Sequence, residues 1–168
     1  MDIETFMREH EIAASRHEHP AVMTVEESER LVPPLPGAKT KNLFLRDKKG
    51  RRYFLVTVPH DLAINLGALG KALVAGRLSF ASAEQLDGRL GVTAGAVSLL
   101  ALLNDTARTV EFVIARTLWE ADAVQAHPLV NTATMVIAHV DLERFLAATG
   151  HTPQVIDVPV SGIDLGTD

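Results

Sequence analysis

The stretch Gly37–Val58, GAKTKNLFLRDKKGRRYFLVTV, reads as two strands and a turn. Leu43, Phe44 and Leu45 form one unbroken apolar run, and Tyr53, Phe54, Leu55 and Val56 form another. Runs of this kind suit strands buried on both faces. Asp47-Lys48-Lys49-Gly50 between them has turn chemistry, with Gly50 free to take a positive φ. In strand geometry Lys41, Leu43 and Leu45 point to one face, and Asn42, Phe44 and Arg46 to the other. One ammonium, that of Lys41, therefore stands at the edge of an apolar wall. Seven of the chain's 16 basic residues lie between Lys39 and Arg52, opposed only by Asp47. At the tip, Lys48, Lys49, Arg51 and Arg52 suit either a solvated turn or a contact with a polyanion.

Around this hairpin the chain mixes helices and strands. Thr24-Val25-Glu26-Glu27 forms a capping box for a helix that runs to about Leu31 and stops before Pro33-Pro34. Asn65 caps a short helix through Leu73 that Gly76 closes, and Ser82-Ala83-Glu84-Gln85 is a second capping box, for a helix ending near Gly91. Strands are expected at Leu78–Phe80, Thr109–Ala115, Thr132–Ala138 and, at an edge, Gln154–Val158. Helices are expected over Ile3–Ala14 and Asp141–Thr149, and a short helix or turn over Leu118–Ala123, with His127–Asn131 as a loop. Hairpins occur beside crossovers, so the fold class is α/β of the mixed α+β kind, with a mixed, mostly antiparallel sheet flanked by helices. The 168 residues are read as one domain with a frayed tail over 162–168.

Composition narrows the chemistry. Hydrophobic residues make up 47% and charged residues 22%, an ordinary globular balance. The absence of cysteine excludes disulfides, thiolate zinc sites and a cysteine nucleophile. The amino terminus has no apolar core of a signal peptide, and Ala94–Leu103 is too short to span a bilayer, so a cytoplasmic protein with no membrane partner is expected. A net charge of −5 argues against a general nucleic-acid coat. His17 and His19 alternate, yet no third ligand is evident, so neither a metal site nor a cofactor is expected. Nucleotide-binding glycine motifs, a G-x-S-x-G elbow and H-E-x-x-H are absent. Gly91–Ser98 is rich in small residues; it is either a loop that a ligand can approach closely or a tightly packed buried turn. Ser98 has no sequence-evident base, and His127 before Pro128 suits either a base or a structural hydrogen bond.

Several segments in order resemble one family. They are His19-Pro20-Ala21-Val22, Thr24–Glu27, Thr40-Lys41-Asn42-Leu43-Phe44-Leu45, Leu78-Ser79-Phe80-Ala81, Leu90-Gly91-Val92-Thr93, Leu103-Asn104-Asp105 and His127-Pro128-Leu129-Val130-Asn131-Thr132-Ala133-Thr134. Together they are similar to the YbaK/prolyl-tRNA synthetase editing-domain family, most of all to its free-standing branch that deacylates alanyl-tRNA(Pro). The resemblance runs from about residue 5 to residue 157. It implies a trans-editing aminoacyl-tRNA deacylase whose partner is mischarged tRNA(Pro), with prolyl-tRNA synthetase as a further candidate partner. It also implies that Lys41 is catalytic and that the terminal ribose hydroxyl of the tRNA helps to orient water. Thr40, Asn42, Gly95, Ala96, Val97, Ser98, His127 and Asn131 are expected at the substrate, and Lys48, Lys49, Arg51 and Arg52 at the tRNA. The chain departs from the family at its G-x-x-x-P loop, where Leu99 replaces the proline and Ala94 stands where another proline is common. Three alternatives stay open: a deacylase for cysteine, serine or threonine esters, a non-catalytic tRNA- or DNA-binding module, and a small-molecule binding protein with no RNA role, which leaves the basic cluster unexplained.

Overall fold

The structure is a computed structural model and describes residues 2–161. The tail read as frayed lies outside the described residues. Strand β1 (Ser15–Glu18) follows helix α1 (Ile3–Glu9), and α2 (Val25–Leu31) leads through the proline loop into β2 (Thr40–Asp47) and β3 (Tyr53–Pro59). Next come α3 (Leu66–Ala72), β4 (Leu78–Phe80), α4 (Ala83–Leu90) and two 3₁₀ turns, Ala94–Ala96 and Leu99–Asn104. The chain continues as β5 (Val110–Ala115), α5 (Arg116–Trp119), β6 (Ala123–Ala126), β7 (Ala133–Ala138), α6 (His139–Thr149) and β8 (Gln154–Ile156).

The β2–β3 hairpin forms as expected, with Lys41 opposite Val58, Asn42 opposite Thr57 and Arg46 opposite Tyr53. Asp47 holds its tip, accepting from the backbone N–H groups of Arg51 (2.8 Å) and Arg52 (3.1 Å), and Gly50 takes φ +67°. β3 lies at the centre of a five-stranded sheet in the order β4-β2-β3-β5-β8, with β4 and β2 antiparallel to their neighbours and β5 and β8 parallel. That position explains the unbroken apolar run: Phe54, Leu55, Val56 and Val58 are wholly buried. The Leu99–Leu103 run packs against them as a buried 3₁₀ helix. Full burial of each such side chain contributes about 1.5–3 kcal/mol against exposure.

The strands divide between two sheets. The second is β1-β7-β6, wholly antiparallel, and its strand β6 begins at Ala123, where the sequence suggested the end of a short helix or turn, and covers residues 124–126, for which it suggested no element. Ala123–Ala126 is AVQA, too short and too poor in β-branched residues to announce a strand. The two sheets meet where the lead-in to β2 runs beside β6: Ala38 N–H donates to the Ala123 carbonyl, and Gln125 N–H donates to the Ala38 carbonyl, both at 2.9 Å.

The helix ends carry three adjustments. Asn65 and Ser82 cap α3 and α4 as expected, and the Ser82/Gln85 box is complete. At α2 the Thr24 hydroxyl accepts from Glu27 N–H (3.0 Å), but Glu27 reaches past the cap to accept from Met23 N–H (2.9 Å). Helix α3 ends at Ala72 with Val74, not Gly76, as the first residue to turn left-handed (φ +52°). Helix α1 stops at Glu9, short of Ala14, because the chain turns at Glu11 (φ +56°) to enter β1.

Candidate functional site

A cavity of about 290 Å³ opens at the seam between the sheets, at the small end of the range of ligand pockets, roughly 300–1,000 Å³. The start of β2 supplies Lys39, Thr40, Lys41 and Asn42, and the end of β6 supplies Gln125, Ala126 and His127. Thr134 comes from β7, His60 from the end of β3, Val22 to Thr24 and Ser28 from the start of α2, and Ala94, Gly95 and Val97 from the first 3₁₀ turn. Two lysines and two histidines line it and no carboxylate does, on a chain of net charge −5.

The wall is rigid because its polar groups are engaged behind it. Thr40 Oγ1 donates to the Gln125 carbonyl (2.6 Å), which ties β2 to β6. The buried Gln125 amide donates to the carbonyls of Leu35, Pro36 and Gly37 at 3.2–3.3 Å, so one side chain shapes the proline loop. The Asn42 Oδ1 accepts from Thr57 Oγ1 at 2.5 Å, leaving the amide nitrogen of Asn42 for the cavity. His19 bridges from the Pro20 carbonyl to Thr134 Oγ1, at 2.8 Å on each ring nitrogen. With both nitrogens used in this way, His19 does not pair with His17 as a metal ligand.

His127 has a defined tautomer. Its Nδ1 lies 3.0 Å from the Ala133 carbonyl, which can only accept, so Nδ1 carries the proton. Burial pushes its pKa below the ordinary histidine value; the Ala133 carbonyl pulls it up and nearby His19 pushes it further down. The ring is therefore neutral at pH 7, and Nε2 is a free acceptor on the cavity wall.

Of the residues expected at the substrate, Thr40, Lys41, Asn42, Gly95, Val97 and His127 line the cavity. Ala96 and Ser98 do not. Ala96 is buried behind the turn, and Ser98 is wholly buried, its hydroxyl accepting from Leu100 N–H (3.1 Å) as the cap of the second 3₁₀ turn. Asn131 sits one layer back, its amide donating to the Val22 carbonyl (3.0 Å) and the Met23 sulfur (3.1 Å). Gly95 lies under a neighbouring side chain: a Cβ there would meet the Met23 sulfur at 2.9 Å, and the flexible end of the methionine would have to shift. The methionine lies across the glycine.

The tip residues separate from the cavity. Lys41 and Asp47 stand six residues apart on one strand, about 20 Å at a rise of roughly 3.3 Å per residue. Lys48, Lys49 and Arg51 are exposed at the far end. Arg52 does not stand free with them. Its guanidinium makes a two-point pair with Glu111 (2.8 and 2.9 Å), donates to the Val74 carbonyl (2.9 Å) and lies over the Phe54 ring. Lys39 and Thr134 were visible in the sequence only within the basic cluster and the His127–Thr134 motif, and His60, Gln125 and Met23 carry no local signal; tertiary packing brings all five to the cavity.

Among the described residues no helix is long and apolar enough to cross a membrane. The model of the aminoacyl-tRNA editing domain family matches residues 19–145. Prolyl-tRNA synthetase associated domain-containing protein 1 of Danio rerio is 44% identical over 157 residues, covering 92% of this chain and 85% of the relative. Prolyl-tRNA editing protein ProX of Acetoanaerobium sticklandii is 40% identical over 141 residues, covering 84% and 86%. The fold matches the crystal structure of hypothetical protein APE2540 with a TM-score of 0.72 at 22% identity, over 93% of this chain and 97% of that one. With a family model spanning most of its length and relatives at 40% identity and above, the chain belongs to the aminoacyl-tRNA editing domain family.

Proposed function

We propose that the chain is a trans-editing deacylase that hydrolyses the ester of mischarged tRNA(Pro), with alanyl-tRNA(Pro) as its substrate. The observation that carries this is the cavity lining: Lys41, the amide of Asn42 and the neutral ring of His127 face a small space whose described wall carries no carboxylate. An aminoacyl ester needs no more. Water attacks the ester carbonyl, the Lys41 ammonium stabilises the oxyanion, and the amide of Asn42 orients the acyl group. His127 Nε2 and the free hydroxyl of the terminal ribose hold the water, and Nε2 takes its proton. The carbon–oxygen bond to the ribose then breaks, and the proton passes to the departing ribose oxygen, leaving free amino acid and tRNA.

Binding arithmetic explains the need. A synthetase site built for proline cannot strongly exclude the smaller alanine, since each methylene is worth only about 1–3 kcal/mol. A second, smaller cavity accepts alanine and rejects proline. The names of the two relatives, one a prolyl-tRNA editing protein and one associated with prolyl-tRNA synthetase, support that substrate and make the synthetase a candidate partner. Lys48, Lys49 and Arg51 are proposed as a weak, outlying tRNA contact. The test is a panel of mischarged tRNAs followed for release of free amino acid. Alanyl-tRNA(Pro) is expected to be hydrolysed and prolyl-tRNA(Pro) spared; persistence of alanyl-tRNA(Pro) at its spontaneous rate with protein in excess would sink the assignment. Faster release of cysteine, serine or threonine would move the substrate and keep the reaction.

A further inference from the structure

We propose that Met23 is an oxidation site at the mouth of the cavity, where a hydroperoxide adds one oxygen to its sulfur and slows turnover, an inference that rests on the deacylase reading above. The chain has no cysteine, so methionine carries its only sulfur. Among the described methionines, Met7 and Met135 sit in the core at 4% and 3% exposure, whereas Met23 is 67% exposed. Met23 also lines the cavity. A two-electron oxidant in water therefore reaches one described methionine ahead of the other two, and that one stands at the candidate site.

The contacts of the sulfur give its oxidation a consequence. The Asn131 amide nitrogen donates to the Val22 carbonyl at 3.0 Å and to the Met23 sulfur at 3.1 Å. Gly95 crowds the same spot: an ideal Cβ there would meet the Met23 sulfur at 2.9 Å, its terminal methyl at 3.0 Å and the Asn131 amide nitrogen at 3.4 Å. In the oxidation a sulfur lone pair attacks one peroxide oxygen and forms the S–O bond. The O–O bond breaks, and the departing hydroxide takes the proton of the transferred oxygen and leaves as water. The sulfur loses two electrons and the peroxide gains them. A thioether is a weak acceptor, and a sulfoxide oxygen is a polar one. The new oxygen accepts from Asn131 where the sulfur did, so the sulfur stands one bond further from that amide. With Gly95 close by, the tip of the methionine is displaced into the mouth of a cavity of only about 290 Å³. An apolar part of the rim becomes polar at the same step.

The test treats the full chain with hydrogen peroxide and follows three readouts on the same samples. Peptide mass spectrometry maps the added oxygen, single turnover on alanyl-tRNA(Pro) gives the rate, and a thermal melt reports the fold. Met23 is expected to gain one oxygen before Met7 and Met135 do. Deacylation should then fall about tenfold, as a small misplacement near the reacting atoms allows, while the melt hardly moves. Treatment with the two methionine sulfoxide reductases, one for each epimer, should remove the oxygen and restore the rate. Met23→Leu separates this site from damage elsewhere: whatever its rate before peroxide, the ratio of treated to untreated rate should stay near one. Oxidation of Met7 or Met135 ahead of Met23 would overturn the proposal. So would full oxidation of Met23 at an unchanged rate, a melt that collapses together with the rate, or an equal peroxide loss in Met23→Leu. An untreated parent chain that spares every mischarged tRNA would sink the deacylase reading, whereas the oxygen map would still accept or reject Met23 as the oxidation site.

Discussion

The β2–β3 hairpin is basic at both ends, and the two ends differ in what their charges face. At the open end Lys39 and Lys41 line a concave space with no carboxylate on its wall. At the tip Asp47 accepts two backbone N–H groups, Arg52 is paired with Glu111, and Lys48, Lys49 and Arg51 project into water. A cation in a partly dry cavity acts on a ligand through a low dielectric, whereas one on a turn acts through water and salt. Charge of the same sign at the two ends therefore should not mean equal function.

The strongest way to break this contrast is Lys41→Ala. Loss of one preorganised donor should lower deacylation roughly 10²–10³-fold, measured in single turnover. The melting temperature should hardly move, since no carboxylate among the described residues is left behind unpaired. Lys41→Arg should also be poor, because a planar guanidinium replaces a compact point charge. Near-normal turnover by folded Lys41→Ala would leave catalysis to His127 and the ribose hydroxyl.

Gly95→Ala probes the same end through its rim. The added methyl would strike the tip of Met23, a flexible side chain that can give way, so stability should fall little while Met23 is pushed toward the mouth. Deacylation should drop about tenfold, as expected for a small misplacement near the reacting atoms. A variant with unchanged rate would show that the methionine has no part in shaping the mouth.

His127 adds a pH dependence to the open end. Its pKa in the folded chain lies below the unfolded value of 6.5, chiefly through burial. The unfolded state therefore binds more protons between those two values, and stability rises with pH across that window. This contribution is fully present above 6.5 and is lost as pH falls through the folded pKa. Activity should follow the same limb, because a protonated ring offers no acceptor at Nε2. His127→Gln should flatten that limb in a pH–rate profile; an unchanged acidic limb would assign it to another group.

At the tip the expected effects are structural and smaller. Arg52→Ala should cost about 1 kcal/mol, by loss of a half-exposed two-point pair, with deacylation intact. The Arg52 guanidinium, largest among the causes, holds the Glu111 carboxyl below its ordinary value of 4.5, so this contribution is present above 4.5 and is lost as pH falls through the folded pKa. A melt of the variant against pH checks both points. Lys48→Glu with Lys49→Glu should weaken tRNA binding only severalfold, and only at low salt. A larger loss, on the scale of Lys41→Ala, would erase the difference between the two ends.

Local signals were legible in the sequence. The β2–β3 hairpin, the Gly50 turn, the Thr24, Asn65 and Ser82 caps and the ends of α4 and α6 all depend on residues within a few positions of one another. Lys41 stood out because its apolar neighbours are adjacent in the chain. Strand β6 did not, because AVQA becomes a strand only by pairing with β7 and with Ala38. The division into two sheets, and with it the position of the cavity, follows from that long-range pairing.

Three assignments turned on tertiary contacts. Ser98 carries a hydroxyl in a small-residue loop, and only packing shows that it is spent on a buried cap. Arg52 reads as one more basic tip residue until β5 brings Glu111 beside it. Gly95 reads as room for a ligand, and the fold fills that room with Met23. The sequence by itself determined the local elements, the lysine on its strand and the family, because these depend on neighbours in the chain. Tertiary structure decided which charges stay unpaired, which polar groups are satisfied and which residues share the cavity wall, because most of those depend on partners distant in the chain, such as Asn42 with Thr57, 15 residues away, and His19 with Thr134, 115 residues away.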